Sequence, residues 1–322
     1  MAESDTAPKA GIVALSPEAV PKEAPAEVLK PPRFALLPGN RIRPGDPLTI
    51  GYSAGFQKIG NRDFQAILLD SRGKRLGKAI FFDFGTDGEG RGIKAAVLAV
   101  PTTAASGPAV IRIEGAEGAV KDLPLFIEKR DFVSELLLLD EANTDLRTKP
   151  DPQKTAEAEQ LWAILSHTGS AVYSSGPFIP PVTSTRRTSF FGDRRVYQYV
   201  TGGTSTSIHA GIDYGVPIGT EVRACAAGRV VFARFRIVTG NSVILEHMPG
   251  VYSLYYHLDR ISAGEGRLVN AGALLGFSGS TGLSTGPHLH WEIRAAGETC
   301  DPDAFVSRAV LDKNAVLSNL LE

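Results

Sequence analysis

Turns interrupt this chain too often for a helical bundle. Its 322 residues include 34 Gly and 21 Pro, against only two Met. Between those breaks the apolar runs are short: Leu48–Tyr52, Phe64–Leu69, Ala79–Phe84, Ala95–Val100, Ala109–Ile113 and Leu123–Ile127. Asp70-Ser71-Arg72-Gly73-Lys74 reads as a hairpin turn between two of them. Short runs spaced by turn signals predict a mainly β protein, with a β-sandwich over residues 33–132.

The length suits roughly two domains of about 150 residues each. An immunoglobulin-like architecture is expected for the sandwich, although the Cys…Trp…Cys pattern is absent. Residues 1–32 hold seven Ala, six Pro and no aromatic. They read as a flexible tether, because such a segment buries too little apolar surface to offset its ordering entropy. Residues 133–184 read as a helical linker and a Pro-rich loop. Asp151 is suited to N-cap a helix whose first turn holds Pro152. Leu161, Ile164 and Leu165 share one face of it, and it ends near Gly169. A second β domain is expected over 185–310, with strands at 220–223, 228–233, 242–247, 253–257 and 288–294, and a tail over 311–322.

Composition excludes several classes. Lys and Arg total 34 against 35 Asp and Glu, so no basic excess exists to hold nucleic acid. No apolar run approaches the ~20 residues of a membrane span. Two cysteines make no disulfide scaffold; Cys225 and Cys300 can pair or remain buried thiols. Two Gly-x-Ser-x-Gly matches, Gly51–Gly55 and Gly282–Gly286, lack the following helix that a nucleophile elbow needs.

The chemistry concentrates in the histidines, five of six lying between 209 and 290. His209 and Asp213 form a His-x-x-x-Asp pair. His288-Leu289-His290 displays two imidazoles on one face of a strand. Two His and one Asp can hold zinc and leave a position open for water. His257 is the additional member. His167 and His247 read as ordinary surface or core residues.

His209-Ala210-Gly211-Ile212-Asp213-Tyr214-Gly215, Gly240-Asn241-Ser242, Tyr256-His257-Leu258 and Gly282–Glu292 together resemble the lysostaphin/LytM family of zinc endopeptidases, over about 185–305. Arg186–Asp193 resembles the segment that leads into that domain. The resemblance implies a compact antiparallel β domain with a groove (the duplicated hybrid motif fold) and one Zn²⁺ per chain. Its ligands would be His209, Asp213 and His290. His257 and His288 would be the catalytic pair, with His288 as general base and His257 orienting and stabilising the oxyanion, or the reverse. The implied substrate is a peptidoglycan stem peptide or cross-link, with no nucleic-acid partner. An exported, periplasmic or wall-associated protein is then expected, its signal replaced at Met1. The alternative is a non-hydrolytic wall-binding scaffold or an activator of another hydrolase; the intact ligand set favours the enzyme. Residues 133–184 directly precede the domain and can inhibit it intramolecularly.

Overall fold

The computed structural model describes residues 32–53, 64–88, 90–115 and 118–320. Nearly all of the expected tether, and the end of the Gly51–Gly55 motif, lie outside them.

Among the described residues nine strands come first: β1 (Arg33–Leu37), β2 (Arg41–Ile42), β3 (Pro47–Ser53), β4 (Gln65–Asp70), β5 (Arg75–Ile80), β6 (Phe82–Thr86), β7 (Gly92–Ala99), β8 (Gly107–Gly115) and β9 (Gly118–Ile127). They form two sheets, ordered β1-β3-β7-β6 and β2-β9-β8-β4-β5. Ile50, Tyr52, Phe64, Phe81 and Ile111 belong to one buried cluster shared by both sheets. The run Ala79–Phe84 is not one strand as expected. Phe81, 1% exposed, stands where the chain leaves β5 and crosses to β6 in the other sheet. A residue buried at such a crossing has the same apolar signature as one within a strand.

β7 is buried on both faces. Ala96 and Leu98 join the sandwich core, whereas Ala95, Val97 and Ala99 join a second core with Val251, Ala295, Cys300 and Phe305. Successive strand residues point to opposite faces, so one strand serves both cores.

β10 (Ser134–Leu138), α1 (Glu141–Thr148) and α2 (Pro152–Ser166) follow. Asp151 caps α2 by accepting from the Gln153 amide, and Pro152 occupies its first turn. Leu161, Ile164 and Leu165 pack on Phe232, Ile244, Tyr252, Leu254 and Tyr256. The helix is therefore seated on the second domain.

That domain contains β11 (Arg187–Ser189), β12 (Arg194–Gln198), β13 (Thr204–Ile208), β14 (Gly211–Tyr214), β15 (Glu221–Arg223), β16 (Gly228–Arg236), β17 (Gly240–Met248), β18 (Val251–Ile261), β19 (Leu268–Val269), β20 (Leu274–Ser278), β21 (Leu289–Ala295) and β22 (Glu298–Cys300), then α3 (Pro302–Ser307) and α4 (Lys313–Ser318). Its main sheet runs β11-β14-β21-β18-β17-β16-β19, and a small sheet runs β10-β12-β13. The segment expected as a tail contains α4, whose Val316 packs on Ala35 and Ile93 of the first domain. Cys225 and Cys300 are buried thiols that do not pair.

Candidate metal centre and its cleft

β14 and β21 run antiparallel, in a register that sets Asp213 opposite His290 and Gly211 opposite Glu292. The approach at Gly211 is too close for a side chain: a Cβ there would lie 2.1 Å from the Trp291 carbonyl oxygen. His209 enters from just before β14, its amide bonded to the Asp193 carbonyl at 2.9 Å. The sequence therefore brings its two spaced motifs together through a single strand pair.

Three atoms converge there. His209 Nε2 lies 3.1 Å from Asp213 Oδ1 and 3.0 Å from His290 Nδ1, and the last two are 2.8 Å apart. Tetrahedral zinc with bonds of about 2.1 Å sets its ligand atoms about 3.4 Å apart. The triangle is slightly tighter than that, and all three residues are buried. The donor chemistry fits as well. His209 Nδ1–H donates to the Phe190 carbonyl at 2.8 Å, which leaves Nε2 a lone pair. His290 Nε2 faces the Glu292 carboxylate at 3.5 Å, which turns Nδ1 inward. Two imidazole lone pairs and a carboxylate oxygen in van der Waals contact need a cation or a proton between them.

Without a metal, the electrostatics supply the proton. Burial opposes a charge on His290, but the carboxylates of Asp213 and Glu292 outweigh it and lift its pKa to about 9. Burial also works against ionised Asp213, yet the His209 and His290 imidazoles against it hold it well below the usual carboxylate range.

The other two predicted histidines border the same point. His288 Nδ1–H donates to the Gly286 carbonyl at 2.7 Å, and its Nε2 stands 3.9 Å from Asp213 Oδ1. His257 Nδ1–H donates to the Thr281 carbonyl at 2.8 Å, and its ring centroid lies 4.7 Å from that of His288. Each ring is thus tied by Nδ1 and keeps Nε2 as an acceptor. Burial, reinforced by the neighbouring imidazoles, pushes His257 down to about 3, and burial lowers His288 as well. His257 has φ +61° and sits where β18 slips register against β17. A left-handed, non-glycine residue in a bulge is a strained device for aiming one side chain.

The outliers of the histidine set have structural roles. His247 lies in the core, donating from Nδ1 to the Ala227 carbonyl and accepting at Nε2 from Ser253 Oγ. His167 is exposed, and its carbonyl accepts from the Tyr252 hydroxyl.

A cleft of about 540 Å³ opens over the centre. One wall is the loop Leu283–Pro287 with His257 and His288; the other comprises Arg186, Ser189, Arg195, Tyr197 and, from the linker, Glu135, Leu137 and Leu139. β10 reaches this place by parallel pairing with β12. Asn143 of α1 donates to the Ser284 carbonyl at 3.1 Å, tying the linker to the far wall. Sequence reasoning missed four residues here: Arg195, whose Nη2 donates to Asp213 Oδ2 at 2.6 Å, together with Glu135, Asn143 and Glu292. Glu292 was findable, because it shares the His288 and His290 face by strand alternation. The others carry no local signal.

The profile of peptidase family M23 matches residues 207–302. The chain is 42% identical over 135 residues to the DD-carboxypeptidase/endopeptidase Mpg of Neisseria meningitidis, covering 42% of this chain and 30% of that protein. It is 38% identical over 117 residues to the peptidoglycan DD-endopeptidase ShyA of Vibrio cholerae, covering 36% and 27%. The matches thus span less than a third of either relative's length. A Pseudomonas aeruginosa crystal structure described as peptidase M23 shares the fold over 82% of this chain and 93% of its own, with TM-score 0.56 and 23% identity.

Proposed function

From a chain whose C-terminal β domain is a peptidase M23 domain, we propose a zinc endopeptidase that hydrolyses peptide bonds in peptidoglycan stem peptides or cross-links, acting outside the cytoplasm. The observation that carries this is the convergence of three buried ligand atoms beside two histidines that both keep Nε2 as an acceptor. The relatives named for peptidoglycan activity support the substrate class.

His209, Asp213 and His290 would hold the ion. The chemistry an ion held there would supply is polarisation of the scissile carbonyl and a bound water with its pKa lowered to about 7. His288 is neutral and tethered, so its Nε2 can accept the water proton and pass it to the leaving amine. His257, with Nδ1–H given to Thr281, orients water as an acceptor. Donation to an oxyanion requires a proton on its Nε2, which burial opposes. We assign the general-base role to His288, whose Nε2 stands 3.9 Å from Asp213 Oδ1.

The linker fits a second, regulatory reading. Glu135, Leu137 and Leu139 enter the cleft from one side, and Asn143 bonds its other wall. We infer that residues 133–148 restrict access of wall peptide until they move. Because β7 serves both cores, point changes test this better than truncation: Leu137→Lys with Asn143→Ala should raise the rate on sacculi, and an unchanged rate removes the inhibition.

The main test is digestion of purified sacculi by zinc-loaded protein, followed by mass analysis of the muropeptides. New amine termini are expected, with zinc and activity both lost in His290→Ala. Bound zinc without new termini would overturn the enzyme reading.

A further inference from the structure

Glu135 is out of character with its surroundings. The other β10 and linker side chains that line the cleft, Leu137 and Leu139, are apolar. Glu135 instead brings a carboxylate to the wall beside the metal centre. It accepts from Ser189 Oγ at 3.1 Å and stands 3.4 Å from Arg195 Nε. These contacts are loose, since charge-assisted N–H···O bonds settle at about 2.7–2.9 Å. Arg195 Nε is buried and has no hydrogen-bond partner among the described residues.

The guanidinium does not depend on Glu135 for its position. Its Nη2 is fixed on Asp213 Oδ2 at 2.6 Å, and the side chain is 14% exposed. Ser189 is 5% exposed and held in β11 against β14. Arg186 lines the same cleft, with its Nη1 on the Gly215 carbonyl at 3.1 Å and no carboxylate at ion-pair distance among the described residues. A fixed guanidinium fork, a buried hydroxyl and a second cation on one wall, next to a reaction centre, form a preorganised site for a planar anion.

We propose that Arg195 and Ser189, with Arg186 at the rim, form a subsite for a free carboxylate on the peptide substrate, and that Glu135 fills it as an internal stand-in. The ligand class is a short peptide whose carboxylate lies close to the bond presented to the metal. This deepens the peptidase reading and rests on it for the identity of the peptide. It also gives the linker a chemical reason to release: a substrate carboxylate replaces the Glu135 carboxylate contact for contact. An amidated peptide cannot do so, because its amide NH₂ group meets a donor rather than an acceptor.

The test is calorimetric titration of the zinc-loaded full chain with N-acetyl-D-alanyl-D-alanine and with its C-terminal amide. In Glu135→Gln the free acid should bind about tenfold more tightly than to the original protein, with amide affinity unchanged. Adding Ser189→Ala, which removes only a hydroxyl that bonds Glu135 and leaves the backbone pairing of Ser189 with Asp213 in place, should return about threefold or more of that gain for the acid alone. Equal gains for acid and amide would mean that Glu135 only obstructs entry and would overturn the subsite. So would an acid affinity that ignores both substitutions. Neither titration needs turnover, so digestion of sacculi by the same samples judges the peptidase reading separately.

Discussion

Arg195 and Asp213 share a 2.6 Å bond on Oδ2, the carboxylate oxygen opposite the one that meets His209 and His290. The guanidinium thus fixes the plane of the carboxylate and leaves Oδ1 facing His209 and His290. Partners of this kind typically contribute about 10–100-fold to metal affinity. Arg195→Met should weaken zinc binding by that factor, measured by competition with a chromophoric chelator, with the fold retained by circular dichroism. An unchanged dissociation constant would show that Asp213 needs no such support.

His257 and His288 lie beside the ligand triangle, not in it. His288→Ala should therefore keep about one zinc per chain while kcat on muropeptides falls by about 10²–10⁴-fold, the usual contribution of a positioned acid–base group. His257→Ala should also keep zinc and lose activity. Because both rings serve one water, the double variant should cost much less than the product of the single losses. Metal loss in either single variant would move that residue into the ligand set.

The convergence of His209, Asp213 and His290 was legible because its signals are local. His288 and His290 share a strand face by alternation, and His209 and Asp213 flank a Gly that permits close pairing. The α2 cap and its apolar face were legible for the same reason. Arg195 and Glu135 were not. Their positions come from the parallel pairing of β10 with β12, which matches Glu135 with Arg195 across a long stretch of chain. Nothing in Ser134-Glu135-Leu136-Leu137-Leu138 alternates, so that run has no strand signature of its own. The two-faced burial of β7 was hidden likewise, since a run buried on both sides reads simply as apolar. The φ of His257 is set by a bulge that no spacing rule reveals.

His247 gives the fold an acid-sensitive term. Burial lowers its pKa from 6.5 to about 4. Above pH 6.5 neither folded nor unfolded chain protonates it. Between 6.5 and 4 only the unfolded chain takes up this proton, so stability falls as pH falls; below 4 the loss is complete. The shift corresponds to about 3 kcal/mol. His247→Asn offers a donor for Ala227 and an acceptor for Ser253 without titrating in this range. Urea unfolding at pH 7 and pH 4 should show a drop about 3 kcal/mol smaller in the variant. Equal drops would mean that His247 is not held neutral.

Gly211 is the position where fold and chemistry are least separable. It pairs with Glu292, two residues from the Asp213–His290 pair, and a Cβ would meet the Trp291 carbonyl oxygen at 2.1 Å, its carbonyl carbon at 2.8 Å and the Glu292 Cα at 2.9 Å. These are backbone atoms of a buried strand, so no side chain can swing aside to relieve the overlap. Gly211→Ala must push β14 from β21, which parts Asp213 from His290 as well. The expected cost is about 3 kcal/mol in chemical unfolding, with zinc affinity reduced in parallel. Gly92→Ala is the control, since its added Cβ meets nothing within 4 Å, and should change stability by less than about 0.5 kcal/mol. If Gly211→Ala keeps both stability and zinc affinity, the close β14–β21 approach is not what assembles the centre.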